Sequence, residues 1–168
     1  MAALKAGSKA PDFQLSEMSG RRFKLSDALI DGPVVLTFFK ISCPVCQFAL
    51  PFIERIYQAA QGTNGRKVTI IGISQNSKKD TEFFNRQYGL KMPVALDDPH
   101  GYAVSNAYGI TNVPSIFYIG QDGTIEISSV GWSKDDVLEI ARRVSEHAAI
   151  SAIAVIRPDD EVPVFRGG

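Results

Sequence analysis

The chain has 168 residues, 45% hydrophobic and 21% charged, and its 18 basic and 18 acidic side chains cancel. That length suits one domain able to bury roughly 68–70% of its unfolded surface, so no disulfide is needed for folding. The balanced charge gives no electrostatic case for nucleic acid or an anionic membrane as partner.

No segment approaches the ~20 apolar residues of a membrane-spanning helix. The opening "MAALKAGSKAPDF" lacks the apolar core of a secretory signal, so the expected setting is cytoplasmic. Two cysteines are too few for a disulfide scaffold. In a reducing compartment such a pair points to redox catalysis or metal binding.

The elements follow in chain order. "DFQLSEMSGRRFKLSD" (12–27) alternates apolar and polar around Ser19-Gly20, which predicts a hairpin. "PVVLTFF" (33–39) is a continuous β-rich apolar run, the mark of a strand buried on both faces. From Pro44 the period changes: Val45, Phe48, Ala49, Phe52, Ile53, Ile56 and Tyr57 recur at helical spacing up to Gly62. Pro51 lies inside that helix and predicts a kink.

"KVTIIGIS" (67–74) is a second buried strand and "KKDTEFFNRQYG" (78–89) a helix closed by Gly89. "PVALDD" predicts a short strand, and "PHGYAVSNAYG" a short helix closed by Gly109. "SIFYIGQDGTIEISSVG" is a hairpin around Asp122-Gly123. "SKDDVLEIARRVSEHA" is a helix capped by Ser133, with Asp136 at the capping-box position.

This order predicts an α/β domain over residues 1–150, with a mixed central sheet, helices on both faces and an N-terminal β-hairpin. Residues 151–168, with two prolines and three acids, form an extended tail, with a short edge strand expected at 152–156.

The chemistry concentrates in "KISCPVCQF" (40–48), which holds both cysteines, Cys43 and Cys46. A buried strand running into Cys43, with a helix starting at Pro44, sets the first sulfur at a helix N-terminus. Unpaired amides and the positive dipole end favour a thiolate there. Proline is well accommodated in that first turn. Cys46 lies one turn further in, more buried, within reach of a mixed disulfide on Cys43.

Two buried structural sulfurs would be expected to scatter. A zinc site would need four ligands, with only His100 and His147 to complete it and no paired spacing. A redox dithiol therefore leads, with no metal and no cofactor.

Four stretches resemble the thioredoxin superfamily, in its TlpA-like/AhpC–TSA redoxin branch. They are "GSKAPDFQL" (7–15), "VVLTFFKISCPVCQFALPFIERI", "YGITNVPSIFYIGQDGTI" and "SSVGWSKDDVLEIARRV". The resemblance covers about residues 7 to 147 and implies a thioredoxin-like fold. It places the family's cis-proline at Pro114 and makes Val113 a backbone docking edge for an incoming peptide. Pro44 and Phe39 join them as expected substrate contacts, and Ile41 and Val45 complete an apolar surface suited to a protein disulfide.

The branch also contains peroxiredoxins, whose PxxxTxxC motif would make Cys46 the peroxidatic thiol. Here Phe39 stands at the proline position, Cys43 at the threonine position, and Pro114 where the resemblance would put an arginine. The resemblance thus implies thiol–disulfide exchange, with Cys43 as nucleophile and Cys46 resolving. A peroxidase and a non-catalytic redox sensor are the alternatives. A protein or small-thiol disulfide is the expected substrate, a thiol reductant of unknown identity recycles the pair, and the oligomeric state is open.

The pattern departs from the family at two points. Phe39 and Ser42 replace tryptophans, and Thr37 occupies the position of a buried titratable group. An acid such as Glu54, Asp97 or Asp98, or a water, would then have to assist proton transfer. Lys40 is expected in solvent, His100 at a helix cap and Trp132 in packing.

Overall fold

The computed structural model describes residues 2–62 and 64–168. Around the Ser19-Gly20 turn, β1 (Gln14–Ser16) and β2 (Arg22–Lys24) pair antiparallel, with Leu15 opposite Phe23. Gly20 adopts φ 87°, which its lack of a Cβ permits. This hairpin stands apart from the main sheet. It docks through Met18, whose N–H donates to the Val94 carbonyl at 2.8 Å. A seven-residue helix that the sequence pattern does not announce follows at once: α1 (Leu25–Asp31), anchored by the buried Leu25.

The apolar run becomes β3 (Val34–Phe39), buried at every position. After it come α2 (Pro44–Ala60), β4 (Thr69–Ser74), α3 (Lys78–Tyr88), β5 (Val94–Leu96) and α4 (Ala103–Ala107). The chain continues with β6 (Ser115–Ile119), β7 (Ile125–Val130), the two-residue β8 (Trp132–Ser133), α5 (Lys134–Ala148) and β9 (Phe165–Arg166). The five-stranded sheet has the order β5-β4-β3-β6-β7. Strands β5, β4 and β3 run parallel, and β6 and β7 antiparallel to their neighbours.

Alternation along β3 divides the core in two. Val35 and Phe39 face a cluster built with α2, α3 and α5, which includes Cys46, Ile53, Phe84, Trp132 and Ile140. Val34, Leu36 and Phe38 face a second cluster with Leu25, Val104, Tyr108 and Phe117. No helix among the described residues is long and apolar enough to cross a membrane.

Local signals hold at the helix ends. Ser77 and Ser133 accept from the Asp80 and Asp136 amides at 3.2 and 3.3 Å, caps worth about 1 kcal/mol each. Gly89 closes α3 in the left-handed region. Pro51 does not interrupt α2, which runs through it to Ala60.

The tail departs from expectation. Residues 152–156 form no strand; the strand lies instead at β9, paired antiparallel with β8. Between them the tail is pinned by distant groups. The Arg55 guanidinium donates to both Asp160 oxygens at 2.6 and 3.2 Å and to the Val155 carbonyl at 2.9 Å. The Trp132 indole N–H donates to the Pro163 carbonyl at 2.7 Å, while its ring packs on Phe48 and Phe52, with centroids 4.9 Å from each.

Candidate active site

Strand β3 ends at Phe39, and the chain turns through Lys40–Ser42 before α2 begins. Three hydrogen bonds hold this turn: Ile41 N–H to Asn76 Oδ1 at 3.0 Å, Gln47 Nε2 to the Ile41 carbonyl at 2.9 Å, and Cys43 N–H to the Lys40 carbonyl at 3.2 Å. Asn76 and Gln47 escape sequence reasoning. For Asn76 the available signal is a polar residue just past the end of β4, the parallel neighbour of the strand that leads into the cysteines.

Cys43 is the N-cap of α2, with Pro44 at the first helical position. Its sulfur takes the capping role usually filled by an oxygen, accepting the Cys46 N–H at 3.3 Å. The same sulfur donates its S–H to the Val113 carbonyl at 3.3 Å. Cys43 is half-buried and Pro44 exposed, whereas Cys46 is 0% exposed. Both cysteines are free thiols. Burial drives the Cys46 thiol far above its ordinary range; a backbone contact from Lys40 opposes this, and the Cys43 side chain reinforces it. One sulfur therefore faces solvent at the positive end of a helix, and the other is kept protonated beneath it.

The opposite wall comes from the loop before β6. The Val113–Pro114 peptide is cis. Ser115 Oγ donates to the Asn112 carbonyl at 2.7 Å, and the Gly131 N–H donates to the Pro114 carbonyl at 2.8 Å. These bonds fix the loop so that Val113 presents its carbonyl to Cys43. Val113 is half-buried and Pro114 buried.

Phe39 does not join this surface. It is 0% exposed and stacks on Phe84 with ring centroids 5.5 Å apart, so it cannot touch a docked substrate. Val45 is likewise in the core. Ile41 stays half-buried at the rim. Lys40 extends over the Tyr102 ring, 6.0 Å from its centroid.

The three acids considered for proton transfer hold structure instead. Glu54 accepts the Lys91 and Met92 amides at 2.9 and 3.0 Å and the Gln58 side chain at 2.7 Å, tying α2 to the approach to β5. Eight helical residues place it about 12 Å along the axis from Cys46. Asp97 caps α4, accepting from the Ser105 amide and hydroxyl, both at 2.7 Å.

Asp98 is exposed, and the His100 backbone and ring N–H groups hold its carboxyl below the usual range. His100 thus sits in the turn before α4 and caps nothing. Thr37, on the β3 face shared with Val35 and Phe39, is 0% exposed and its hydroxyl lacks a hydrogen-bond partner.

Thiol–disulfide exchange is the chemistry such a pair of sulfurs serves, and the class defined is that of thioredoxin-fold thiol–disulfide oxidoreductases. The AhpC/TSA family model matches residues 6–128. The chain belongs to the AhpC/TSA family. The thiol-disulfide oxidoreductase ResA of Geobacillus thermodenitrificans is 31% identical over 136 residues, spanning 80% of this chain and 75% of that protein.

Two solved structures share the fold. One is the thioredoxin domain of a thiol-disulfide oxidoreductase from Bacteroides vulgatus, with TM-score 0.71 and 21% identity over 84% of this chain and 98% of that one. The other is a peroxidoxin from Mycobacterium tuberculosis, with TM-score 0.68 and 21% identity over 88% and 99%. Fold alone therefore does not choose between disulfide and peroxide as substrate; the residues at the site must.

Proposed function

We propose that Cys43 is the attacking thiol and Cys46 the resolving thiol of a dithiol that reduces protein disulfides. The supporting observation is the inequality of the two sulfurs. Cys43 is accessible and capped by an amide, while burial keeps the Cys46 thiol protonated.

In the forward direction the Cys43 thiolate attacks a substrate disulfide. A mixed disulfide forms, and the first substrate sulfur leaves and takes up a proton. Cys46 then loses its proton and attacks Cys43, releasing the second substrate thiol and closing the Cys43–Cys46 disulfide. Two electrons pass to the substrate, and an external thiol reductant returns them to the pair. Exposed Pro44 with half-buried Ile41 and Val113 offers apolar contact to a protein partner, and the Val113 backbone its docking edge. The resting bond from Cys43 to Val113 favours this reading over peroxide reduction by Cys46, whose sulfur no solvent reaches.

The experiment is trapping. Cys46→Ser should accumulate a covalent adduct with a protein disulfide, visible on non-reducing gels and by mass; adducts with small thiols only would sink the protein-substrate reading. In stopped-flow, rapid peroxide consumption that survives Cys43→Ser but not Cys46→Ser would replace it with the peroxidase.

A further inference from the structure

Resting on that reading, a second occupant of the docking edge comes from the chain itself. After Pro163 the tail turns back toward the active site. The Lys134 N–H donates to the Val164 carbonyl at 2.9 Å, and β9 pairs Phe165 with Ser133 and Arg166 with Trp132. The last residue of the sequence, Gly168, then comes to lie on the Val113–Pro114 peptide. Asn112 Nδ2 donates to its carbonyl oxygen at 3.1 Å. A Cβ on Gly168 would overlap the Val113 carbonyl oxygen and fall 3.4 Å from the Pro114 nitrogen. At Gly131 a Cβ would meet the Arg166 carbonyl oxygen at 2.6 Å. Glycine on both sides lets the two backbones approach this closely.

We propose that Val164–Gly168 is an intramolecular stand-in for a substrate strand, which a protein disulfide displaces in order to lie along Val113. The carbonyl that Gly168 covers is the one that accepts the Cys43 S–H. A peptide pairing its backbone there needs the space the tail holds.

The tail is also built to release. Upstream, Asp160 and Pro163 are tied to Arg55 and to the indole of Trp132. Beyond Pro163 every residue is exposed, with Val164 at 70% and Phe165 at 63%, and only a two-residue ladder and a few single bonds hold the segment. Segments without buried apolar contacts open at low free energy. Once lifted, Val164 and Phe165 stay tethered beside the site.

The test is Gly168→Ala in the 168-residue protein, whose new methyl group pushes the segment off Val113. Rates are measured with insulin as the protein disulfide and oxidised glutathione as the small one, which needs no extended backbone pairing. Closed-state occupancy lowers apparent affinity by the open fraction. The expected result is a gain of about fivefold in kcat/KM for insulin, equivalent to ~1 kcal/mol, with the glutathione rate unchanged.

An unchanged or lower insulin rate overturns the proposal. So does a parallel rise with both substrates, which would locate the change at the thiol. If the parent protein reduces neither disulfide, the oxidoreductase reading itself has failed. Asn112→Ala, which removes the bond to Gly168, must give the same selective gain, and serves if the alanine at 168 compromises folding.

Discussion

Raising the pH from 8 to 10 titrates the Cys46 thiol in the unfolded chain and leaves it protonated in the fold. Burial lifts this group well above its ordinary 9.0. The native state therefore keeps a proton that the unfolded state gives up, and stability present below about pH 9 is lost as pH rises. The slope approaches about 1.4 kcal/mol per pH unit only once the unfolded thiol is fully ionised, and between pH 8 and 10 it averages about half that. With the unfolded midpoint near 9, the loss from pH 8 to pH 10 is roughly 1–1.5 kcal/mol.

Burial also raises Tyr108 and Tyr118, the latter from 10.0 to about 12, so they add in the same direction at the top of the range. The assay is urea unfolding of the reduced protein at both pH values, beside Cys46→Ser, which retains both tyrosines. The parent should lose more stability than the variant by the stated amount; equal losses would refute the claim that burial holds this thiol protonated. The same cause predicts that resolution of the mixed disulfide accelerates with pH across this range, because only the thiolate attacks.

Glu54→Gln should cost about 1–3 kcal/mol in urea unfolding, since its NH2 replaces one accepting oxygen and faces the backbone N–H of Lys91 or Met92, and should leave the rate with oxidised glutathione unchanged. A slower rate at unchanged stability would make Glu54 a proton-transfer group. Phe39→Ala should cost about 3–5 kcal/mol by opening a cavity in the core, with KM for a small disulfide preserved. A raised KM without destabilisation would return Phe39 to the binding surface.

The sheet and its major helices were legible because their signals are local. An unbroken apolar run at 34–39, helical spacing from Val45 to Tyr57 and glycines at helix ends each name an element without reference to the rest of the chain. Helix α1 was missed because it spans seven residues, buries only Leu25 and has no side-chain cap. The tail, expected to be extended over 151–168 with a strand at 152–156, carries its strand at 165–166 instead. Its docking depends on Arg55 and Trp132, partners about 105 and 31 residues away, and no local pattern encodes them.

At the site, spacing paired the cysteines and the resemblance supplied Pro114. Phe39 was misplaced because β3 is covered on both faces, so position in the strand does not distinguish core from rim. The acids were misread for a related reason. Sequence gives a carboxylate's type, whereas its role is set by the amides it meets, those of Lys91 and Met92 for Glu54 and Ser105 for Asp97.

The 3.3 Å bond from Cys43 to the Val113 carbonyl makes the docking edge a reporter of the sulfur's chemical state. An S–H donates only while the sulfur keeps its hydrogen. Thiolate, mixed disulfide and closed disulfide all lack one, so each leaves Val113 with a vacant acceptor. A buried or half-covered carbonyl without a partner carries a desolvation penalty of about 1–3 kcal/mol, which a substrate amide relieves by donating to it. Ionising Cys43 thus arms the nucleophile and opens a backbone anchor beside it in one event. When the external reductant returns both cysteines to thiols, the enzyme's own S–H takes back that anchor.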